Sequence, residues 1–159
     1  MRNSAALMLA LALTCTKPVP TTPSAPADPY TGPIVVLPDA YQVKIELAAD
    51  DGTRAQGLMF RDRVAPGSGM LFLFAQTGEY PFWMKNTLVP LDMIWIDEGR
   101  RVVHVEAGVP PCKADPCPSY PPNAQARYVL ELGAGEAAKH RVINGSTLTF
   151  QRIENIAVH

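Results

Sequence analysis

Six polar or charged side chains stand inside the most apolar stretches of this sequence, and they are the residues that could do chemistry. They are Arg54, Arg61, Lys85, Asn86, Asp92 and Glu131. Burying an unpaired charge is costly, so each of these groups should either pair with a partner or face a cleft. In the structural interpretation, one of the two carboxylates, Asp92 or Glu131, pairs with Arg54 or Arg61. The amide of Asn86 then hydrogen-bonds to the backbone of the Asn86–Pro90 turn.

The functional interpretation of the same residues is a pocket that binds a small polar or sugar-like ligand by ring stacking and hydrogen bonds. Its candidate residues are Trp83, Lys85, Asn86, Asp92, Arg54 and Glu131. An alternative is a cell-envelope hydrolase or transferase in which Asp92 and Glu131 act as general acid and base. No Ser–His–Asp pattern is recognisable and nothing in the sequence places the two carboxylates within working distance, so no catalytic residue is assigned.

Four methionines fall in the same part of the chain and raise the question of a metal. They are Met59, Met70, Met84 and Met93. Thioether sulfur is a soft ligand that suits Cu(I), but each of these residues stands in an apolar run, where Met is an ordinary core residue. The core interpretation is favoured. Phosphate-binding glycine loops and helical zinc motifs are absent, so the sequence predicts neither a metal nor a cofactor.

Cys112 and Cys117 flank a short Pro-rich segment and are expected to pair in an exported chain. Half of a zinc site is the other interpretation, but a structural zinc site needs four ligands. None of the three histidines is spaced like a partner for these cysteines. A disulfide that fixes the shape of a loop over residues 107–126 is therefore the prediction.

The N-terminus has the pattern of an export signal. Arg2 precedes an uninterrupted apolar run over residues 5–13, which is too short to span a membrane and leads into a Pro-rich segment. Cys15 follows the run as in a bacterial lipobox, although Thr14 stands where Gly, Ala or Ser is usual. We expect residues 1–15 to be a signal with lipidation at Cys15, and residues 16–33 to be a tether. Ordinary cleavage and secretion, or a buried N-terminal helix, are the alternatives.

Charge and composition limit the partners. The chain has 14 Lys and Arg against 15 Asp and Glu, which gives a net charge of -1. It therefore lacks the excess of basic residues expected of a nucleic-acid-binding protein. The expected partners are the membrane, through the lipid anchor, and an unknown small ligand or envelope protein. The expected location is the periplasm or cell envelope, membrane-anchored or, alternatively, secreted or periplasmic and soluble.

The elements that must position these residues are mostly strands. Residues 41–47 alternate apolar and polar, residues 70–74 predict a fully buried strand, and residues 91–97 form a hairpin with residues 101–106. Along residues 91–97, Met93 and Trp95 are expected on one side of the strand and Ile94 and Ile96 on the other.

Asp50–Gly52 predicts a turn. Thr53 and Gln56 predict a capping box at the start of a short helix with Ala55 facing inward and Gly57 inside it. Residues 76–81 are expected to form a loop and residues 147–154 the last strand. About eight strands and two short helices predict a single α+β domain over residues 34–155, mainly antiparallel and barrel-like.

Four linked motifs resemble a known family. They are GLMFR at Gly57–Arg61, GMLFLF at Gly69–Phe74, FWMKNTLVPLDMIWID at Phe82–Asp97 and VLELGAG at Val129–Gly135. Together they resemble the domain of unknown function 192 family of bacteria and archaea, over about residues 36–151. The resemblance implies an exported or tethered single domain with a compact β-rich fold, and it implies no particular chemistry.

Overall fold

The structure is a computed structural model that describes residues 30–154 and 156–159. The predicted signal segment and lipidation site, residues 1–15, and most of the tether, residues 16–33, lie outside the described residues. From Thr31 onward the chain forms one compact unit.

Strands dominate the described part of the chain. In order along the sequence the elements are β1 (Ile34–Val36), β2 (Gln42–Ala48), α1 (Asp51–Gln56), β3 (Ser68–Gly78), β4 (Phe82–Trp83), β5 (Leu91–Ile96), β6 (Val102–Val109), β7 (Ser119–Tyr120), β8 (Ala126–Gly133), α2 (Glu136–Lys139) and β9 (Thr149–Gln151).

Seven of these strands form one curled, half-barrel sheet in the order β6-β5-β8-β3-β2-β1-β9. Neighbouring strands are antiparallel except β2 and β3, which pair in parallel across the α1 connection. The remaining two strands, β4 and β7, pair with each other. The predicted fold, a mainly antiparallel, barrel-like α+β domain with two short helices, is confirmed.

Both faces of the central strands are covered. Along β5, Ile94 and Ile96 pack on one side with Leu71 and Leu130, whereas Met93 and Trp95 pack on the other with further apolar residues. All six residues of β5 are buried because it lies between β6 and β8. The predicted alternation of side chains along β5 is correct, and neither face of this strand is exposed to solvent.

The start of α1 differs from the prediction. Asp50, not Thr53, is the N-cap: its carboxylate accepts a 2.9 Å hydrogen bond from the Thr53 N–H, and the Thr53 hydroxyl accepts one from the Asp50 N–H. Asp is among the best N-cap residues, and Thr at N3 completes the box from the other side. The predicted turn over residues 50–52 is therefore the cap and first turn of the helix.

Gly57 ends α1 rather than lying inside it. Its φ of 48° lies in the region that favours glycine, and a Cβ placed there would come within 3.2 Å of Cζ of Phe72. Leu58, directly after it, is buried, whereas no residue of α1 itself is, including the predicted inward-facing Ala55. The glycine thus lets the helix end lie close against β3.

The other differences concern strand ends. β3 begins at Ser68, earlier than predicted, and runs on to Gly78 through a segment predicted as a loop. The predicted loop over residues 107–126 contains the end of β6 and all of β7, and the last strand is shorter than predicted. These ends are set by pairing with distant partners, which local composition does not reveal.

The predicted disulfide is confirmed. Cys112 and Cys117 are bonded, with their Cα atoms 5.7 Å apart, so neither is a zinc ligand. Over the residues described, no helix is long and apolar enough to cross a bilayer.

Candidate functional site

A cleft of about 260 Å³ opens between α1 and the sheet, and we call it the α1 cleft. Its walls come from α1 and the turn after it, from β3, from the segment before β4, and from β8. Its lining residues are Arg54, Ala55, Gln56, Gly57, Leu58, Met59, Phe72, Phe74, Tyr80, Pro81, Phe82, Trp83, Lys85, Thr87 and Glu131.

Aromatic rings form most of the apolar wall. Phe72 and Phe74 alternate along β3 and so project on the same side of the sheet. Phe82 meets Phe72 edge to face at 4.8 Å between centroids, and Tyr80 stacks on Phe74 at 3.6 Å. The indole N–H of Trp95 donates to the Tyr80 carbonyl at 2.7 Å, which anchors this segment to β5. The wall is therefore fixed from several directions.

Glu131 is the acidic group of the cleft. It lies on β8 opposite Met93, is 4% exposed, and has no hydrogen-bond or ion-pair partner among the described residues. Burial raises the pKa of its carboxyl to about 8. Gly57 leaves room above it, since a Cβ at that glycine would lie 3.9 Å from Oε2 of Glu131. A buried, unpartnered carboxyl in an open cleft is unusual among buried polar groups.

Arg54 lines the same cleft, but its guanidinium is already bound. Nη1 donates to the Leu73 carbonyl at 2.9 Å, and Nη2 contacts Oδ1 of Asp51 at 2.6 Å and the His159 carbonyl. The guanidinium carbon also lies 5.6 Å from the centroid of Phe74. The predicted pairing of an acidic group of the motifs with Arg54 is wrong, because Arg54 pairs with the exposed Asp51.

Trp83 and Lys85 lie at the mouth of the cleft. Trp83 is 51% exposed, a large fraction for an indole ring, and Nζ of Lys85 lies 5.2 Å from its centroid. Lys85 forms no ion pair within the described residues. The two residues therefore present a flat ring and an uncompensated cation to an incoming molecule.

Asn86 lies beside the cleft and does not line it. Its φ is 54°, its carbonyl accepts a 2.8 Å hydrogen bond from the Phe60 N–H, and its amide nitrogen is 3.7 Å from Sδ of Met59. Asn tolerates this backbone conformation better than most residues. Its contacts tie the turn before Pro90 to the segment that follows α1.

Asp92 is fully buried and belongs to a different place. Oδ1 accepts a 2.8 Å hydrogen bond from the Gly108 N–H, and Oδ2 accepts one of 2.8 Å from the Ala137 N–H. Asp92 faces Leu132 across the β5–β8 pair, whereas Glu131 faces Met93. Successive residues of a strand point to opposite faces, so Asp92 and Glu131 lie on opposite sides of the sheet. They cannot act as an acid–base pair in one site.

Arg61 also has a partner that the motifs did not suggest. It pairs with Glu46 of β2, with Nη2 2.7 Å from Oε2. The hydrogen bond lowers the pKa of Glu46 and raises that of Arg61. The predicted pairing of Arg61 with Asp92 or Glu131 is therefore wrong.

The sequence prediction missed the aromatic wall. The apolar run at residues 70–74 predicts a buried strand, and the loop predicted over residues 76–81 contains Tyr80. The alternation of Phe72 and Phe74 along one strand is the signal that could have shown a shared face. No sequence signal would have brought Tyr80 and Phe82 to that face.

A second buried polar group lies on the other side of the domain. Nδ1 of His140 lies 2.8 Å from Oδ2 of Asp39, and its ring stacks on Tyr41 at 3.9 Å. This contact holds the end of α2 against the β1–β2 turn and lowers the pKa of Asp39. Residues 30–154 and 156–159 contain no group of three or more His, Cys, Asp or Glu residues that could hold a metal ion.

Comparison with known families places the chain in a class. The model of the DUF192 family, described as "Uncharacterized ACR", matches residues 34–150, which is most of the folded domain. The chain belongs to the DUF192 family, as its four motifs indicated.

Two solved structures are similar to this chain throughout the domain. One is a candidate transcription regulator from Sinorhizobium meliloti 1021, at 32% identity and a TM-score of 0.67, over 74% of this chain and 91% of that one. The other is a protein of unknown function from Novosphingobium aromaticivorans DSM 12444, at 30% identity and a TM-score of 0.65, over 80% and 94%. No curated protein matches the chain.

Proposed function

We infer that this domain is a ligand-binding module of the cell envelope, and that the α1 cleft is its binding site. The observation that carries the proposal is the combination of a rigid aromatic wall, a buried carboxyl without a partner, and an exposed Trp83–Lys85 pair at one opening. Binding sites for small molecules are typically concave, largely apolar and provided with a few convergent polar groups.

The proposal revises the set of binding residues. Trp83, Lys85, Arg54 and Glu131 remain, because all four line the cleft. Asn86 and Asp92 become positioning residues of the framework. The hydrolase or transferase alternative loses its acid–base pair and is not pursued.

The extracytoplasmic location is part of the same proposal. The Cys112–Cys117 disulfide supports it, because disulfides persist in oxidising compartments and are rare in the cytosol. We infer that residues 16–33 tether the domain and that Cys15 carries the lipid anchor.

The cleft can be tested by a fragment screen that includes sugars, short peptides, aromatic acids and aromatic amines. Saturation-transfer NMR identifies those that bind, and isothermal titration calorimetry gives their dissociation constants, because Trp83→Ala removes the tryptophan of the cleft. We expect Trp83→Ala to weaken binding roughly fivefold, since stacking on an exposed ring contributes about 1 kcal/mol.

Ile143→Ala is the matched control for this variant, because Ile143 is equally prominent on the surface, at 67% exposed, and does not line the cleft. It should leave affinity unchanged. Equal affinities for the wild type and Trp83→Ala would show that the fragments bind elsewhere, and the proposal would fail.

A further inference from the structure

The proposed function leaves the class of ligand open, and the charges of the α1 cleft indicate one. We propose that the cleft binds a small organic anion with an aromatic body, to which Glu131 donates a hydrogen bond as a neutral acid while Lys85 supplies the compensating charge. This inference rests on the proposed function, and the experiment below separates the two.

The surroundings of Glu131 favour its neutral form. A buried carboxylate needs a cation or several N–H donors to hold its charge, and the described residues offer Glu131 neither. Arg54, the arginine of the cleft, is occupied by Asp51 and by the backbone oxygens of Leu73 and His159. At neutral pH the carboxyl therefore keeps its proton, consistent with a pKa raised to about 8 by burial. A neutral carboxyl has one O–H to donate.

The remaining titratable groups of the cleft leave it positive. Besides Glu131 they are Arg54, Lys85 and Tyr80. With Glu131 neutral, the lining carries no negative charge. Because Asp51 compensates Arg54, Lys85 is the cation that lacks an acidic partner within the described residues. A ligand with an anionic group would satisfy the ammonium, and an acceptor atom of the same ligand would satisfy the O–H.

A cationic ligand fits this cleft less well. It would meet two positive side chains, and it would require Glu131 to ionise in an apolar site. The rings that could attract a cation are also occupied, because Arg54 lies against Phe74 and Lys85 against Trp83. The aromatic wall is thus left to contact the body of the ligand rather than a charged group.

Three probes with one body and three charges test the inference: 2-naphthoate, 2-naphthylmethanol and (2-naphthylmethyl)trimethylammonium. Each keeps its charge between pH 6 and pH 9. Dissociation constants for the full chain come from calorimetry and Trp fluorescence. We expect 2-naphthoate to bind roughly fivefold or more tightly than the neutral alcohol, from one ammonium at about 4 Å in a solvated mouth. The ammonium probe should bind most weakly.

The dependence on pH identifies the role of Glu131. Ionisation of this carboxyl repels an anion, so the affinity for 2-naphthoate should fall roughly tenfold between pH 7 and pH 9. Glu131→Gln cannot ionise and should show the same affinity at both pH values. Lys85→Gln should reduce the preference for the anion over the alcohol, whereas Lys113→Gln, at an exposed site outside the cleft, should not.

The outcomes are distinct. Stronger binding of the ammonium probe or the alcohol, or a pH profile unaffected by Glu131→Gln, overturns the anion inference and leaves the cleft as a binding site. Failure of all three probes overturns it as well, and the fragment screen with Trp83→Ala then decides the proposed function separately. Circular dichroism confirms that each variant is folded.

Discussion

The buried carboxyl of Glu131 lowers the free energy of unfolding of the domain at neutral pH. Burial raises the pKa of this group to about 8 from its ordinary value of 4.5. The folded state therefore keeps a proton that the unfolded state releases above pH 4.5. The free energy of unfolding is therefore unaffected by ionisation of this group below pH 4.5 and falls as the pH rises from 4.5 toward 8.

Glu131→Gln should consequently stabilise the domain increasingly as the pH rises. An amide is neutral at every pH, so the free energy of unfolding should exceed that of the wild type by about 1 kcal/mol at pH 5 and about 4 kcal/mol at pH 8. Urea denaturation at several pH values measures the difference. Glu98→Gln, on the exposed β5–β6 turn, should show no such trend. A difference that stays constant between pH 5 and pH 8 would contradict the assignment.

Such a cost is typical of residues kept for function rather than for stability. The sequence singled out Glu131 as a charge inside an apolar motif, and that much was predictable. Its isolation was not predictable, because it depends on where the other groups find partners. Arg54 and Arg61 pair with Asp51 and Glu46, which the motifs did not suggest.

At the scale of elements, Asp92 shows how a buried charge can build the fold. α2 has only four residues, and its N-cap, Gly135, offers no side chain to the free N–H groups. Oδ2 of Asp92 accepts the Ala137 N–H instead, while Oδ1 accepts that of Gly108 at the end of β6. One carboxylate thus joins β5, β6 and α2.

Asp92→Ala should destabilise the domain by about 3 kcal/mol, because it leaves the buried Ala137 N–H and the partly buried Gly108 N–H without their acceptor. Thermal and urea unfolding give the magnitude. Hydrogen exchange at Gly108 and Ala137 should accelerate more than at residues of β2. Asp62→Ala, at an exposed site, is the control and should cost little. Losses of similar size in the two variants would show that the Asp92 hydrogen bonds contribute nothing specific.

Elements with strong local signals were predicted well. The alternation in β5 gave the correct faces, and the apolar run before Phe74 gave the centre of β3. Elements that depend on pairing with distant segments were predicted poorly. β7 is a two-residue segment of a Pro-rich loop that forms a strand because it pairs with β4. The N-cap of α1 is Asp50 because that residue and Thr53 cap each other.

At the scale of the whole molecule, the proposal includes a tether and a lipid anchor at the membrane. Cys15→Ser should release the protein from the membrane fraction into the soluble envelope fraction, because it removes the site of the proposed lipid anchor. Cell fractionation with immunoblotting measures the distribution.

The double variant Cys112→Ser and Cys117→Ser is the matched control, since it removes two cysteines that form a disulfide within the domain. It should leave the protein in the membrane fraction. Membrane retention of Cys15→Ser at the wild-type level would contradict lipid anchoring through this residue.

The position of β1 has a consequence for how the domain forms. β1 lies between β2 and β9, and Ile34 pairs with Gln151, so strands from the two ends of the domain are neighbours in the sheet. Closing so long a loop is entropically expensive and is repaid only when both strands are present. During synthesis, nearly the whole domain must leave the ribosome before β1 can pair with β9. The sheet therefore stays incomplete until β9 has been synthesised.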